Sequence, residues 1–450
     1  MPGPKLDPVE SDAALPRAVD VVIIGGGIAG TCAALELVDR GLKVAICEKG
    51  QIGAEQSSRN WGWVRLTHRD PREMPLMVEA VRMWEGLNER VEAETGYRQS
   101  GVTYTCTSDD MMEEERQWVD LLQSYQIPAK MLNRDEALAH YPGMDLPIKG
   151  AIHNPMDGRA EPQKAAPAVA RAVQARGGTV HQNTAVRMID VEGGKVTGVI
   201  TEHGRIACSQ VLLAGGIWSR LMLDNMGIYL PQLRTKNTVL RTSALEGGPE
   251  GTIKFKEFAM RKRLDGGYTI ASSANSRYEI TPDSFRLFGA FLPALKNEWR
   301  GLRFGFGSAF VDGLKTKRKW TANDVTPFEE TRIMDPQPET SFIEKVYHQV
   351  AARWPAMKGL KIEQRWAGII DVLPDVIPVI SDTESVKNGV KGLFVSTGFS
   401  GHGFGLGPGA GRLAADLMTG HAPIVDPTPF RLSRFSDGSK IAPMSGITRR

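Results

Sequence analysis

A glycine-rich segment near the start of the 450-residue chain has the spacing of a phosphate-binding turn. Gly25-Gly-Gly27-Ile28-Ala29-Gly30 fits GxGxxG, follows an apolar strand predicted for Val19–Ile24 and opens a helix predicted for Thr31–Arg40. The first glycine of such a motif turns the chain, the second lets the backbone approach a pyrophosphate, and the third permits close helix–strand packing. Glu48 follows roughly 20 residues later, at the end of the next predicted strand, where an acid can bind ribose hydroxyls. These residues predict a dinucleotide site.

A second glycine cluster, Gly398–Gly411, favours FAD over NAD as that dinucleotide. It forms a predicted loop that enters a helix ending at Gly420. Backbone N–H groups and a helix N-terminus at this loop can stabilise negative charge on a reduced isoalloxazine ring. A reductase that binds both nucleotides would carry a second GxGxxG after a strand in mid-chain, and the sequence has none. The alternative interpretation is a glycine-rich surface loop.

Several side chains near these motifs can bind or orient a substrate. Trp61 and Trp63 flank Gly62 and can form an apolar or cation–π wall for an amine, or pack in the core. Arg65 can hold a carboxylate in bidentate fashion, or form a structural ion pair. His402 can hydrogen-bond to substrate or cofactor, or cap the helix. With two further aromatic candidates, the predicted substrate-site residues are Trp61, Trp63, Arg65, Tyr268, Trp366 and His402.

The elements that must position these residues are of two kinds. A β-α-β unit over Val19–Cys47, later strands near Thr179–Val186, Lys195–Thr201 and Val211–Ala214, and a last strand–loop–helix unit over Gly392–Gly420 indicate a parallel α/β domain. Phe258–Arg263 and Tyr268–Ala271 flank an Asp-Gly turn, which is typical of an antiparallel hairpin. The predicted fold is α/β: a Rossmann-type FAD-binding domain with an inserted α+β substrate domain that contains a mixed, largely antiparallel sheet.

The domain boundaries follow from this alternation of patterns. We predict a discontinuous FAD-binding domain, a substrate domain inserted in two pieces, and a tail at each end. The predicted ranges are 1–18 for a flexible N-terminal tail, 19–90, 151–235 and 360–425 for the FAD-binding domain, 91–150 and 236–359 for the substrate domain, and 426–450 for a C-terminal tail.

Composition excludes several classes of protein. The 55 basic and 52 acidic residues give a net charge of +3, which provides no overall attraction for nucleic acid. The four cysteines form no CxxC pair, which argues against a zinc site, an iron–sulfur cluster or a disulfide framework and favours a reducing, cytoplasmic location. No metal site is expected. The first residues lack the pattern of a signal peptide, and no apolar run is long enough to span a bilayer.

The two glycine motifs and their neighbours resemble the D-amino acid oxidase superfamily, in its glycine oxidase and sarcosine oxidase branch. The resemblance covers Val19–Arg65, Leu212–Trp218 and Arg365–Gly420. Thr397–Phe404 looks like the family's C-terminal flavin loop, Leu213–Trp218 like its strand-to-turn segment beside the cofactor, and Gln56–Trp63 like the segment that crosses the isoalloxazine ring. The cofactor-binding residues that these likenesses imply are Gly25, Gly27, Ile28, Ala29, Gly30, Glu48, Lys49, Ser57, Ser58, Arg59, Asn60, Trp61, Gly62, Val186, Ala214, Gly215, Trp218, Gly398, Gly401, His402, Gly403, Phe404 and Gly405.

Three landmarks of these relatives are absent from the sequence. Sarcosine oxidases attach FAD to a cysteine near Arg365–Asp371, whereas no cysteine follows Cys208 here, so we expect noncovalent FAD. They carry a lysine where this chain has Gly405, which leaves charge stabilisation to backbone donors. Glycine oxidase-like relatives bind a carboxylate with an arginine in a segment where this chain has Ile370 and Asp371.

The resemblance implies oxidation of the C–N bond of an amino acid or amine to an imine by hydride transfer to flavin N5, with oxygen or a quinone as acceptor. Two alternatives are an FAD-bearing subunit of an electron-transferring dehydrogenase complex and an enzyme that oxidises a C–O bond. The aromatic and basic stretch 285–319, which includes Trp299 and Arg300, is expected to be substrate-domain core with a solvated basic edge. It can instead be a surface for peripheral contact with a membrane or a partner. The oligomeric state is left open.

Overall fold

The computed structural model describes residues 3–273, 276–298 and 302–443, and both strands and helices occur throughout that range. The strands are β1 Val21–Ile24, β2 Val44–Cys47, β3 Trp63–Val64, β4 Val102–Cys106, β5 Lys130–Asn133, β6 Gly150–Asn154, β7 Gly158–Arg159, β8 Thr179–His181, β9 Val186–Glu192, β10 Lys195–Thr201, β11 Gly204–Ala207, β12 Gln210–Leu213, β13 Leu233–Thr242, β14 Thr252–Lys254, β15 Phe258–Lys262, β16 Tyr268–Ser272, β17 Ser276–Glu279, β18 Leu302–Gly305, β19 Ile362–Val372, β20 Val379–Asp382 and β21 Leu393–Thr397. The α-helices are α1 Ile28–Asp39, α2 Gln56–Arg59, α3 Met74–Glu85, α4 Leu87–Arg90, α5 Asp109–Ser124, α6 Arg134–Ala139, α7 Pro162–Ala175, α8 Ser219–Met226, α9 Pro282–Arg286, α10 Phe288–Glu298, α11 Ser308–Lys315, α12 Pro327–Glu330, α13 Thr340–Arg353 and α14 Gly403–Thr419.

A six-stranded sheet carries the cofactor end of the molecule. Its order is β20-β21-β12-β1-β2-β8, with all neighbours parallel except β20 and β21. The strands are rich in β-branched residues because both faces of the sheet are covered, and in the apolar run of β1 the first three residues, Val21–Ile23, are fully buried. β1, α1 and β2 form the predicted β-α-β unit, which confirms the parallel α/β part of the fold.

Helices α1 and α14 bring the two ends of the sequence together. Nearly every residue of α1 is buried, and α14 lies directly against it. The approach is close because α14 has glycine at Gly411, where a Cβ atom would come within 2.6 Å of the backbone N of Ala33. The buried Asp416 of α14 forms an ion pair with Arg40, and its Oδ1 also accepts from Arg412 Nε at 2.9 Å.

A ten-stranded mixed sheet forms the second part, as predicted. Its order is β18-β17-β13-β16-β15-β14-β4-β6-β5, and β19 pairs with β13 in antiparallel register. The pairings of β14 with β4 and of β17 with β18 are parallel, and the other pairings in the sheet are antiparallel. β15 and β16 are the predicted hairpin.

The domain boundaries stay a prediction, and two strands depart from them. Most of β6 and all of β19 lie in ranges assigned to the FAD-binding domain, yet both pair within the ten-stranded sheet. The structure also fixes much of both predicted tails. The Asp12 N–H donates to the Val180 carbonyl at 2.8 Å, and the buried Arg434 pairs with Asp375 at 2.8 Å. Within the described residues, no helix combines the length and hydropathy needed to cross a membrane.

The aromatic stretch differs from the expectation of a core. Phe285, Phe288, Phe304 and Phe306 are 67%, 55%, 50% and 69% exposed, because α9, α10, β18 and α11 project a short apolar surface that no other described element covers. Trp299 and Arg300 lie outside the described residues.

Candidate cofactor and substrate site

The turn between β1 and α1 has the geometry that the glycine motif predicts. Gly25 has φ +111°, and a Cβ atom there would lie 2.5 Å from the carbonyl oxygen of Ala214 on the neighbouring segment. The Glu48 carboxylate accepts the N–H groups of Gly26 and Gly50, each at 2.7 Å. Burial raises its pKa above the ordinary value, although these two donors act in the opposite direction. The acid is therefore held at the end of β2, facing the turn.

A single cavity of about 400 Å³ connects this turn with the loop before α14. Its walls come from both ends of the sequence and from the segments between them. The predicted cofactor-binding residues that line it are Gly25, Gly27, Ile28, Ala29, Glu48, Lys49, Ser57, Arg59, Asn60, Trp61, Val186, Ala214, Gly215, Trp218, Gly401, His402, Gly403 and Phe404.

The other five predicted cofactor-binding residues support the walls rather than form them. Gly30 packs against the carbonyl of Gly25, and Ser58, a residue of α2, is fully buried. Gly62 lies against the carbonyl of Ala160, while Gly398 and Gly405 are backbone anchors. The Gly398 N–H donates to Asp371 Oδ2 at 2.9 Å, and the Gly405 carbonyl accepts from Trp84 Nε1 at 2.8 Å.

Two acids that were not predicted hold the middle of the cavity in shape. Glu55 accepts from Lys49 Nζ at 2.8 Å and from Trp218 Nε1 at 2.9 Å, so it fixes two predicted residues at once. Asp371 projects from β19 and accepts from Gln232 Nε2 at 2.9 Å as well as from Gly398. Burial raises the pKa of Asp371 to about 6. Asp371 thus positions the loop before α14.

The substrate end of the cavity is lined by aromatic rings. The centroids of Trp61 and Trp63 lie 5.4 Å apart in an edge-to-face arrangement, and Trp63 makes the same kind of contact with Tyr104 at 6.0 Å. His68 packs against Tyr104 at 4.3 Å. Both tryptophans therefore line the cavity and contribute to packing, which combines the two interpretations that the sequence allowed.

Arg65 lines the same end without a carboxylate partner among the described residues. Its Nη1 donates to the carbonyls of Thr67 and, at 3.4 Å, His68. The structure therefore shows no ion pair between Arg65 and a described residue, which was the alternative to carboxylate binding. Its guanidinium lies 5.8 Å from the centroid of the Tyr104 ring, at the cavity wall.

His402 stands where the flavin loop meets the substrate end. Its Nδ1 is 3.0 Å from Glu73 Oε2, and the ring is 8% exposed. Burial, with the nearby Arg69 charge, lowers the pKa of His402 to about 4, so the imidazole is neutral at pH 7. A neutral ring beside a carboxylate donates from Nδ1, which leaves Nε2 as an acceptor.

Tyr268 and Trp366, the two weakest substrate-site predictions, do not reach the cavity. The Tyr268 hydroxyl donates to the Pro249 carbonyl at 3.1 Å, and its ring packs against Trp354 in the core of the ten-stranded sheet. Trp366 Nε1 donates to the Arg59 carbonyl at 3.1 Å. Both rings are fully buried structural residues.

The structure adds cavity residues that carry no recognisable motif. Tyr104 lies in the middle of β4, and Lys254 is its register partner at the end of β14. These two residues meet because their strands pair, and no spacing in the sequence reveals that pairing. The alternation of side chains along β4 was the only sign that its two faces would have different neighbours. The polar and charged lining residues that the sequence did not identify include Glu55, Gln56, His68, Arg69, Tyr104, Asn237, Lys254 and Asp371.

The cavity fits a flavin dinucleotide on its own geometry, since the glycine turn and Glu48 at one end connect without a break to the loop at Phe399–Phe404. Comparison with known proteins agrees. The chain is 28% identical to a glycine oxidase of Pseudomonas aeruginosa, over 91% of this chain and 97% of that one. It is 25% identical to a sarcosine oxidase subunit beta of Rhizobium meliloti, over 93% and 89%.

Among solved structures, an L-amino acid deaminase from Proteus myxofaciens in complex with anthranilate superposes with a TM-score of 0.92 at 31% identity, covering 97% of this chain and 98% of that one. Residues 20–417 match the DAO family of FAD dependent oxidoreductases. The predicted resemblance is confirmed, and this chain belongs to the DAO family of FAD-dependent oxidoreductases.

Proposed function

We propose that this protein oxidises the C–N bond of an amino acid or a related amine to an imine, which then hydrolyses. The observation that carries the proposal is the continuity of the cavity, which joins a dinucleotide cradle to an end built from two tryptophans and an arginine that has no carboxylate partner among the described residues. Such an end suits a small molecule with an apolar body and a carboxylate. The relatives named glycine oxidase, sarcosine oxidase and L-amino acid deaminase support this substrate class.

When bound, FAD supplies the acceptor for a hydride from the carbon that bears the nitrogen. The residues of the chain have the task of holding that carbon in place and keeping the nitrogen unprotonated. Arg65 binds the substrate carboxylate through the guanidinium N–H groups that its two carbonyl contacts leave free. Trp61 and Trp63 exclude water and limit the orientation of the substrate.

His402 accepts a hydrogen bond from the substrate nitrogen, which binds as the free amine because an imidazole with a pKa of about 4 cannot hold the proton of an ammonium group. Its Nε2 is the free acceptor because Glu73 engages Nδ1, and its low pKa keeps it unprotonated at neutral pH. Glu73 acts as a positioning residue that fixes the tautomer. A Glu73→Gln variant is therefore expected to shift the acidic limb of the kcat/KM profile while leaving the bound flavin spectrum close to that of the wild type.

The FAD is proposed to be noncovalent. The cysteine that lines the cavity, Cys47, lies beside Glu48 at the cradle, and burial raises the pKa of its thiol to about 12, so it stays protonated and unreactive. Acid denaturation should release all the flavin into the supernatant. Yellow colour that stays with the protein pellet would contradict this part of the proposal.

The test of the reaction is anaerobic mixing of the purified holoprotein with amines and amino acids while flavin absorbance is followed. Bleaching by at least one member of the panel is expected. Bleaching by hydroxy compounds alone would favour C–O oxidation instead. Reoxidation in air with release of peroxide would identify an oxidase.

A second candidate role, delivery of electrons to a quinone or a partner at a membrane surface, is favoured by the exposed phenylalanines of the stretch 285–319. In that case the reduced flavin would persist in air and reoxidise only when a soluble quinone is added. A cytoplasmic location with at most peripheral membrane contact fits both candidates.

A further inference from the structure

A group of cations lines the substrate end of the cavity and exceeds what one carboxylate needs. We name it the cationic chamber and define it by Arg65, His68, Arg69, Tyr104 and Lys254. Arg65 and Arg69 supply guanidinium groups, and Lys254 supplies an ammonium group. Arg65 and Lys254 flank one ring, with the guanidinium carbon and Nζ at 5.8 Å and 5.5 Å from the Tyr104 centroid.

Three polar groups of the chamber have no acceptor or donor in the described part of the protein. Arg69 is 2% exposed, yet its Nη1 makes no hydrogen bond. The Tyr104 hydroxyl is likewise buried and unpaired. Lys254 Nζ makes no hydrogen bond or ion pair with a described residue, and it lies over the Tyr104 ring. Buried polar groups such as Arg69 Nη1 and the Tyr104 hydroxyl are costly unless a ligand satisfies them, and the half-buried Lys254 stands beside them.

The carboxylates nearest to the chamber are already engaged behind its walls. Glu115 binds His68 Nε2 at 2.8 Å, Glu73 binds His402, and Asp157 accepts from the Leu66 N–H and the Thr67 hydroxyl. The negative charges of these three acids reduce the electrostatic cost of clustering Arg65, Arg69 and Lys254 in the protein without substrate. Since none of them lines the cavity, the surface that meets the substrate is positive.

We propose that the chamber recognises a second carboxylate, so that the preferred substrate is an acidic amino acid or another amine with two carboxylates. Arg65 holds the carboxylate next to the reacting carbon, and Lys254 with the Tyr104 hydroxyl binds the one at the far end. This inference rests on the proposed function, because it names the substrate class of the same site. Burial lowers the pKa of Lys254 to about 8, which still leaves most of the ammonium charged at pH 7.

The first experiment measures binding with unreactive probes and does not depend on turnover. Glutarate and butyrate are titrated into the holoprotein while the flavin absorbance spectrum is followed. Glutarate is expected to bind at least tenfold more tightly than butyrate. Equal affinities would overturn the inference.

The second experiment compares flavin reduction by both enantiomers of glutamate and aspartate with that by their neutral isosteres, glutamine and asparagine. An acidic substrate is expected to exceed its amide at least tenfold in the ratio of reduction rate to dissociation constant. Faster reduction by the amide would overturn the inference and leave the proposed function intact. If glutarate binds preferentially but no amine bleaches the flavin, the proposed function fails while the dicarboxylate site stands.

Matched lysine variants localise the effect. Lys254→Met keeps an unbranched side chain but removes the charge, and should abolish most of the preference for glutarate over butyrate. Lys256→Met is the control, because Lys256 is exposed and its recorded ion pair is with Glu257 at 3.5 Å. Retention of the full preference by Lys254→Met would exclude Lys254 as the recognition residue. The wild-type probe comparison decides the proposal even if this variant does not fold.

Discussion

Replacing Gly411 by alanine tests whether the contact between α1 and α14 builds the cofactor site. The added Cβ atom would lie 2.6 Å from the N of Ala33, 2.6 Å from the carbonyl carbon of Cys32 and 2.7 Å from its Cβ. Ordinary van der Waals contact begins at 3.4 Å. Since two of the three opposing atoms are backbone, the helices must separate by about 0.8 Å, a strain of the kind that costs about 1–3 kcal/mol in a packed core.

The expected result is a loss of about 3 kcal/mol in the free energy of unfolding of Gly411→Ala, at the upper end of that range because no flexible side chain can yield. The assay is urea unfolding of apoprotein and holoprotein, followed by tryptophan fluorescence, together with FAD titration. Separation of the helices also moves the Gly25–Gly30 turn away from the loop before α14, so FAD affinity should fall.

Gly86→Ala is the matched control for this prediction. Gly86 has φ −97°, and a Cβ atom there would meet nothing within 4 Å. Alanine at such a position is expected to be neutral or to stabilise by about 0.4–1 kcal/mol. If Gly411→Ala unfolds at the same urea concentration as Gly86→Ala and binds FAD equally well, the argument from close helix packing is refuted.

Three further perturbations test other parts of the site. Glu48→Ala removes a charged acceptor of two backbone N–H groups and should weaken FAD binding by roughly 10–100-fold, from a loss of about 1.5–3 kcal/mol, whereas the exposed Glu384→Ala should leave FAD titrations of the apoprotein unchanged. The low pKa of His402 means that the unfolded chain binds its proton first, so stability is lost as pH falls from about 6.5 towards 4. His402→Asn should therefore lose about 2 kcal/mol less unfolding free energy than the wild type between pH 7 and pH 5, and parallel losses would contradict the assignment. Asp416→Asn removes the buried carboxylate that pairs with both Arg40 and Arg412 and should cost about 3–5 kcal/mol in urea unfolding, with an unchanged midpoint as the contrary outcome.

The cofactor half of the site was predictable because its chemistry is local in sequence. A strand, three glycines and a helix within one β-α-β unit fix the cradle, and the backbone supplies most of the contacts. The same holds for the loop at Gly398–Phe404. Trp61, Trp63, Arg65 and His402 were identified because they lie beside these motifs.

The substrate half could not be predicted in the same way because its walls depend on strand pairing. Tyr104 and Lys254 meet only because β4 and β14 are parallel neighbours, and nothing in the sequence of either strand identifies its partner. Asp371 shows the same limit, since its role depends on a hydrogen bond to the backbone of Gly398 across two sheets. The aromatics near Phe306 were expected in the core on composition alone, which does not reveal whether a neighbouring element covers them.

The contact between α1 and α14 also determines when the protein can acquire its flavin during synthesis. The first helix of the cradle emerges from the ribosome early, but its partner, Gly403–Thr419, is translated only after every strand of the ten-stranded sheet. Until that helix is made, the apolar surface of residues 28–39 is exposed to solvent or covered by transient contacts. A message that ends prematurely anywhere before α14 therefore yields a chain that cannot close the cofactor site, and the presence of bound flavin reports that translation of the domain was completed.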